Sequence, residues 1–141
     1  MKRRFALSSV AALLAAIMVW AVGGAVLGTS RSEPLHVEIT IHYSHYEPAA
    51  FRVPAGRPVA IILRNTDPID HEWIVGDAAL HERHRTGTER YHASRPTEVT
   101  IPALSTITTV VTFASPGSLQ YICHLPGHEA YGMVGTVTIT P

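Results

Sequence analysis

The 141-residue chain has a single cysteine. That excludes an internal disulfide, a CxxC redox pair, a four-cysteine zinc site and any cluster built on several thiolates. Charge is sparse too. Asp, Glu, Lys and Arg make up 16% of the residues and cancel to a formal net charge of zero. Such a balance gives no electrostatic case for nucleic acid. Thr, Val and Ile are plentiful, so the composition is neither disordered nor that of a coiled coil. The length leaves room for one domain. Against these absences stand nine histidines, which direct attention to metal chemistry.

Lys2, Arg3 and Arg4 precede an uncharged run over residues 5–28. Its 24 residues exceed the ~7–15 of a secretory signal's apolar core and reach the ~20 of a membrane span. Two readings stay open: a retained transmembrane anchor, or a signal peptide cleaved at the imperfect small-residue patterns Ala21-Val22-Gly23 or Ala25-Val26-Leu27. In both, the basic flank stays inside and the rest crosses the membrane. The expected division is therefore a hydrophobic N-terminal helix within 1–30 and an extracytoplasmic domain at 31–141, periplasmic or on the cell surface. From Arg31 onward, eight Arg stand against eleven Asp and Glu, a net of −3, which leaves no basic patch for anionic lipid. A lone cysteine in an oxidising compartment is paired with another chain, buried and inert, or held by a metal.

The exported part reads as strands. Leu35, Val37, Ile39, Ile41 and Tyr43 alternate with His36, Glu38, Thr40 and His42. Val59 to Leu63 is a short apolar run ahead of the turn Asn65-Thr66-Asp67-Pro68. Ile107, Val111 and Phe113 share one face of a third segment, Leu119, Tyr121 and Cys123 of a fourth, and Met133, Gly135, Val137 and Ile139 of a fifth. Pro54-Ala55-Gly56, Ser115-Pro116-Gly117 and Pro126-Gly127 are turn signals between them. Short strands so spaced predict a sandwich or barrel. Asp77 to Arg95 lacks alternation; Asp77 is placed to cap a short helix through His84, with Gly87 beyond its end. That stretch reads as the long connection of a Greek key.

Chemistry concentrates near the C-terminus. Cys123, His128 and Met133 are each separated by four residues, in a loop made tight by Pro126, Gly127 and Gly132. Such a loop brings a thiolate, an imidazole and a thioether together. A thiolate and two imidazoles in a trigonal plane, with a weak axial methionine, make a blue-copper site. The second imidazole must come from elsewhere, and His71 is the best donor, since it follows the Asn65–Pro68 turn and opens Trp73-Ile74-Val75. Taken singly, a buried Cys or Met is ordinary core; it is the spacing, with the upstream histidine, that favours copper. His124 follows Cys123, so strand alternation turns it away from the site, and it reads as a surface histidine. His81 and His84 lack the four-residue offset of a zinc-protease helix. With His36, His42 and His45, these histidines leave open a second, looser metal site.

Residues 121–140, with Asn65-Thr66-Asp67-Pro68-Ile69-Asp70-His71-Glu72, resemble the cupredoxins of the plastocyanin and azurin type, with a ligand-loop spacing most similar to rusticyanin-like members. The resemblance covers about residues 35 to 141. It implies an all-β Greek-key sandwich of about eight strands. It also implies one copper ion, cycling between Cu(I) and Cu(II), bound by His71, Cys123, His128 and Met133. Many members carry Asn or Ser where this chain has Glu72, and a carboxylate there is expected to alter hydrogen bonding to the sulfur. The function expected is monomeric single-electron carriage between redox proteins such as membrane-bound cytochromes or oxidases. The alternative is copper buffering for tolerance. One domain with one thiolate argues against an enzyme.

Overall fold

The computed structural model describes residues 33–87 and 95–141. The apolar run at 5–28, and with it the expected N-terminal helix and the division after residue 30, lies outside them. Among the described residues no helix is long and apolar enough to cross a membrane.

The described chain forms β1 (Leu35–His42), β2 (His45–Glu47), β3 (Ala50–Pro54), β4 (Pro58–Asn65), β5 (His71–Gly76), α1 (Ala78–Thr86), β6 (Glu98–Ile101), β7 (Thr106–Thr112), β8 (Gly117–Ile122) and β9 (Val134–Thr140). They make two mixed sheets, in the orders β2-β1-β4-β7 and β3-β9-β8-β5-β6. The pairs β1/β4 and β3/β9 are parallel, and the remaining pairs are antiparallel. Ile39, Ile41, Ile61, Leu63 and Val111 from the first sheet, with Phe113 just past β7, meet Trp73, Val75, Tyr121, Val137 and Ile139 from the second in one core. The alternation of β1 holds through Ile41 and then stops. Tyr43 is 79% exposed with φ of 50°, because the chain turns there instead of continuing the strand.

In β5 every residue from His71 to Val75 is buried, so it shows no alternation. The core covers one face, and α1 packs against the strand from outside. Asp77 caps that helix by accepting the Leu80 amide at 2.8 Å. Arg83 and Arg85 occupy its last turn, where positive charge suits the helix dipole. Gly76 leaves room for the Leu80 side chain, which a Cβ at that position would meet.

The register fixes which loops share an end. Ile41 of β1 pairs with Asn65 of β4, Arg64 pairs with Thr106 of β7, His71 with Ile101 of β6, and Ile122 of β8 with Val134 of β9. The turns after β1, β4, β6 and β8 therefore gather at one end of the sandwich.

Candidate metal centre

Two segments build the centre. The first is the β4–β5 turn, and its Asn65 side chain fastens it. The Asn65 amide donates to the carbonyls of Ile69, Pro102 and Ile101 at 2.8, 3.0 and 3.3 Å, while its oxygen accepts the Asp67 N–H at 2.9 Å. The Asp67 carboxylate then accepts the amides of Tyr43 and Ser44, both at 2.8 Å, and lies 3.0 Å from His71 Nε2. Burial raises the Asp67 carboxyl, but those two amides and His71 outweigh it and hold the group below its ordinary value. A carboxylate only accepts, so the His71 proton sits on Nε2 and the Nδ1 lone pair is bare.

The second segment is the β8–β9 loop. Its backbone closes on itself: His128 N donates to Leu125 O, Met133 N to His128 O and Gly132 N to Glu129 O, each at 3.0 Å, and Cys123 N to Met133 O at 3.2 Å. Gly127 and Gly132 supply φ of 87° and 93°, a region that costs side-chain-bearing residues strain.

Together the two segments bring His71 Nδ1 to 3.2 Å from His128 Nδ1, and Cys123 Sγ to 3.3 Å from the same nitrogen. Donor atoms of all three residues lie within 4.8 Å of one another, and among the described residues this is the one such group of His, Cys, Asp or Glu. Three ligands at ~2.0–2.3 Å from a central ion form a triangle with sides of about 3.5 Å, so the spacing fits a bound metal. Met133 is fully buried and its backbone is tied to both Cys123 and His128, which places a thioether beside the triangle. One thiolate, two imidazoles and a thioether are the donor set that suits copper.

Burial pushes the Cys123 thiol up to about 11, a setting for a sulfur deprotonated by the ion it binds and not for a free nucleophile. Burial lowers both ligand imidazoles, opposed at His71 by Asp67 and reinforced at His128 by His71. Both are therefore neutral at pH 7, as ligation requires. The Glu72 N–H donates to Cys123 Sγ at 3.3 Å. It is thus the backbone of residue 72, whatever its side chain, that reaches the sulfur, while the Glu72 side chain is itself buried.

All four residues singled out from the sequence come to this end of the sandwich. Asp67 was missed as an orienting residue; the signal available was an Asp four positions before a ligand histidine in a turn. His124 requires correction. It does turn away from Cys123, but its side chain is only 5% exposed, because α1 covers that face of the sheet and His81 meets it at 2.9 Å. His36, His42 and His45 are exposed near β1.

The family model for a cupredoxin-like domain matches residues 10–139. The copper-resistant cuproprotein CopI of Pseudomonas aeruginosa is 26% identical over 137 residues, covering 74% of this chain and 76% of that protein. CopI of Rubrivivax gelatinosus is 32% identical over 98 residues, covering 67% of this chain but only 59% of its own length. Auracyanin from Roseiflexus castenholzii superposes with a TM-score of 0.65 at 21% identity, over 78% of this chain and all of that one. Auracyanin A of Chloroflexus aurantiacus does so with a TM-score of 0.61 at 22% identity, over 77% of this chain and all of that one. The structural likenesses speak for the fold, and the family match spans most of the sequence. This chain belongs to the cupredoxin-like family, and its cofactor is copper.

Proposed function

We propose that the chain is an exported copper protein of copper tolerance. In this reading residues 31–141 are the working domain, and His71, Cys123, His128 and Met133 hold one ion. The observation that carries it is the convergence of His71 Nδ1, Cys123 Sγ and His128 Nδ1. Two CopI relatives, named for copper resistance, supply the setting. Copper bound there supplies a one-electron couple between Cu(I) and Cu(II). The soft sulfurs of Cys123 and Met133 suit the reduced ion and the imidazoles suit the oxidised one, so one donor set serves both. Asp67 keeps the His71 lone pair on the site, and burial of His71, Cys123 and Met133 keeps water away. Four protein donors form a closed shell with no position for substrate, which favours a binder over an enzyme. The basic flank before 5–28 supports export across the membrane, as a secreted or anchored protein. The test is growth in copper of cells lacking the chain. Wild type restores tolerance and Cys123→Ser does not; equal protection by Cys123→Ser overturns the reading.

Electron carriage is the second reading, and one observation favours it. Tyr43, Ile69, Leu104 and Tyr131 are 79%, 47%, 71% and 76% exposed, and all lie in loops at the end where half-buried His128 sits. Weak redox encounters use small interfaces, under ~1,200 Å², and this apolar rim suits one with a membrane cytochrome or oxidase. Leu104→Lys with Tyr131→Lys then slows reduction by a membrane fraction while leaving the visible spectrum intact. An unchanged rate excludes that surface.

A further inference from the structure

On the outer face of the second sheet α1 lies over β5, and three imidazoles meet beneath it. His81 and His84 stand three residues apart on the helix and so share its inner face. His124 arrives from the sheet side, because it follows Cys123 and points the opposite way. His81 Nδ1 lies 2.9 Å from His124 Nε2, and the His84 and His124 rings stack at 5.3 Å between centroids. All three are buried, with His81 at 1% exposure and the side chains of His84 and His124 at 6% and 5%.

The far nitrogens decide where the protons are. His81 Nε2 lies 3.2 Å from the Gln120 carbonyl, and His84 Nδ1 lies 3.0 Å from the Leu80 carbonyl. A carbonyl only accepts, so those nitrogens carry protons, and His81 Nδ1 presents a lone pair toward His124. His124 Nδ1 lies 3.5 Å from the Glu129 carboxylate, which Arg85 holds at 2.6 Å. His81 and His84 are thus each held on one nitrogen by a carbonyl, the outer-shell pattern of metal-ligating histidine, and Glu129 lies beside His124. Between His81 Nδ1 and His124 Nε2 only a proton or a metal ion permits so short an approach. Glu98 lies 3.5 Å from His84 Nε2, adding a carboxylate at the edge of the group. A cavity of about 300 Å³, lined by Leu80, Arg83, His84, Gly87 and Arg95, borders His84.

We propose that His81, His84 and His124 form a second metal site, one that takes a first-row divalent ion suited to imidazole, Cu(II) or Zn(II). The ion takes the place of the proton between His81 and His124, that proton moves to His124 Nδ1 beside Glu129, and His84 closes on the ion by side-chain rotation. Its donors are nitrogen, with no thiolate, so it adds no intense visible band. The site stands independently of how the first centre is used.

The test loads the full chain with one equivalent of copper, exchanges the buffer, and titrates it with Zn(II) or Cu(II) in separate experiments. Metal analysis is expected to find two ions per chain. The His81→Gln/His84→Gln variant keeps the visible band of the first ion and binds the second at least tenfold more weakly. One ion per wild-type chain overturns the proposal, as does a second ion retained by the variant with unchanged affinity. Ring-nitrogen NMR of the wild-type chain gives a reading free of any folding effect of the substitutions. Zn(II) is expected to shift the His81, His84 and His124 resonances, and shifts confined to His36, His42 and His45 overturn the site.

Discussion

His71 and His128 face the same point from different surroundings. His71 is wholly buried, whereas His128 is half-buried in a loop beside exposed Tyr131. A missing imidazole is therefore replaced from solvent more readily at residue 128. His128→Gly is expected to lose the thiolate-to-copper colour and regain it with added imidazole, while His71→Gly regains little; absorbance titration checks this, and equal rescue at both positions argues against the burial seen for His71. Met133 has a different part. The trigonal donors carry most of the binding, so Met133→Leu is expected to keep the colour and raise the reduction potential, because a weak donor to the oxidised ion gives way to an apolar group. An unchanged potential by voltammetry makes Met133 ordinary core.

The β4–β5 turn is the element on which the centre depends most. Asp67 joins the β1–β2 turn, through the Tyr43 and Ser44 amides, to the His71 ring. Asp67→Ala leaves those amides without their acceptor and frees the ring to rotate. Copper affinity is then expected to fall ~10–100-fold, as for other losses of an outer-shell partner; competition with a chelator measures it, and an unchanged affinity overturns the orienting role. The ligand set was legible in the sequence because Cys123, His128 and Met133 sit in one short loop with its turn residues beside them. The surroundings of His124 were not. Alternation says which way a strand residue points, but not what covers that face, and α1 packs there through contacts remote in sequence. Helix α1 itself was legible through its Asp77 cap and Gly87 stop, whereas β5 was hard to assign because burial on both faces removes the period-two signal.

Across the whole molecule, buried imidazoles link stability to pH. Burial lowers His81, and it lowers His124 to about 4, from an ordinary value near 6.5. Below pH ~6.5 the unfolded chain takes up protons that the folded one refuses, so stability is full above that pH and is lost as pH falls toward the folded values. The metal-free protein is expected to show a flat Tm from pH 7 to 8 and a falling one toward pH 4.5 by calorimetry; a Tm that rises on acidification contradicts the burial of both rings. Sheet order has a further consequence. β7 ends the first sheet, and among the described residues no strand pairs with its outer edge. Its seven residues, Thr-Ile-Thr-Thr-Val-Val-Thr, are all β-branched, with neither charge nor proline. Edges of that composition template cross-chain pairing, and a lysine is the usual guard. Val110, 49% exposed there, is the place for one: Val110→Lys is expected to reduce the light scattering that develops when the protein is cycled through its thermal transition. The strand that closes one side of the sandwich is thereby also an exposure to aggregation.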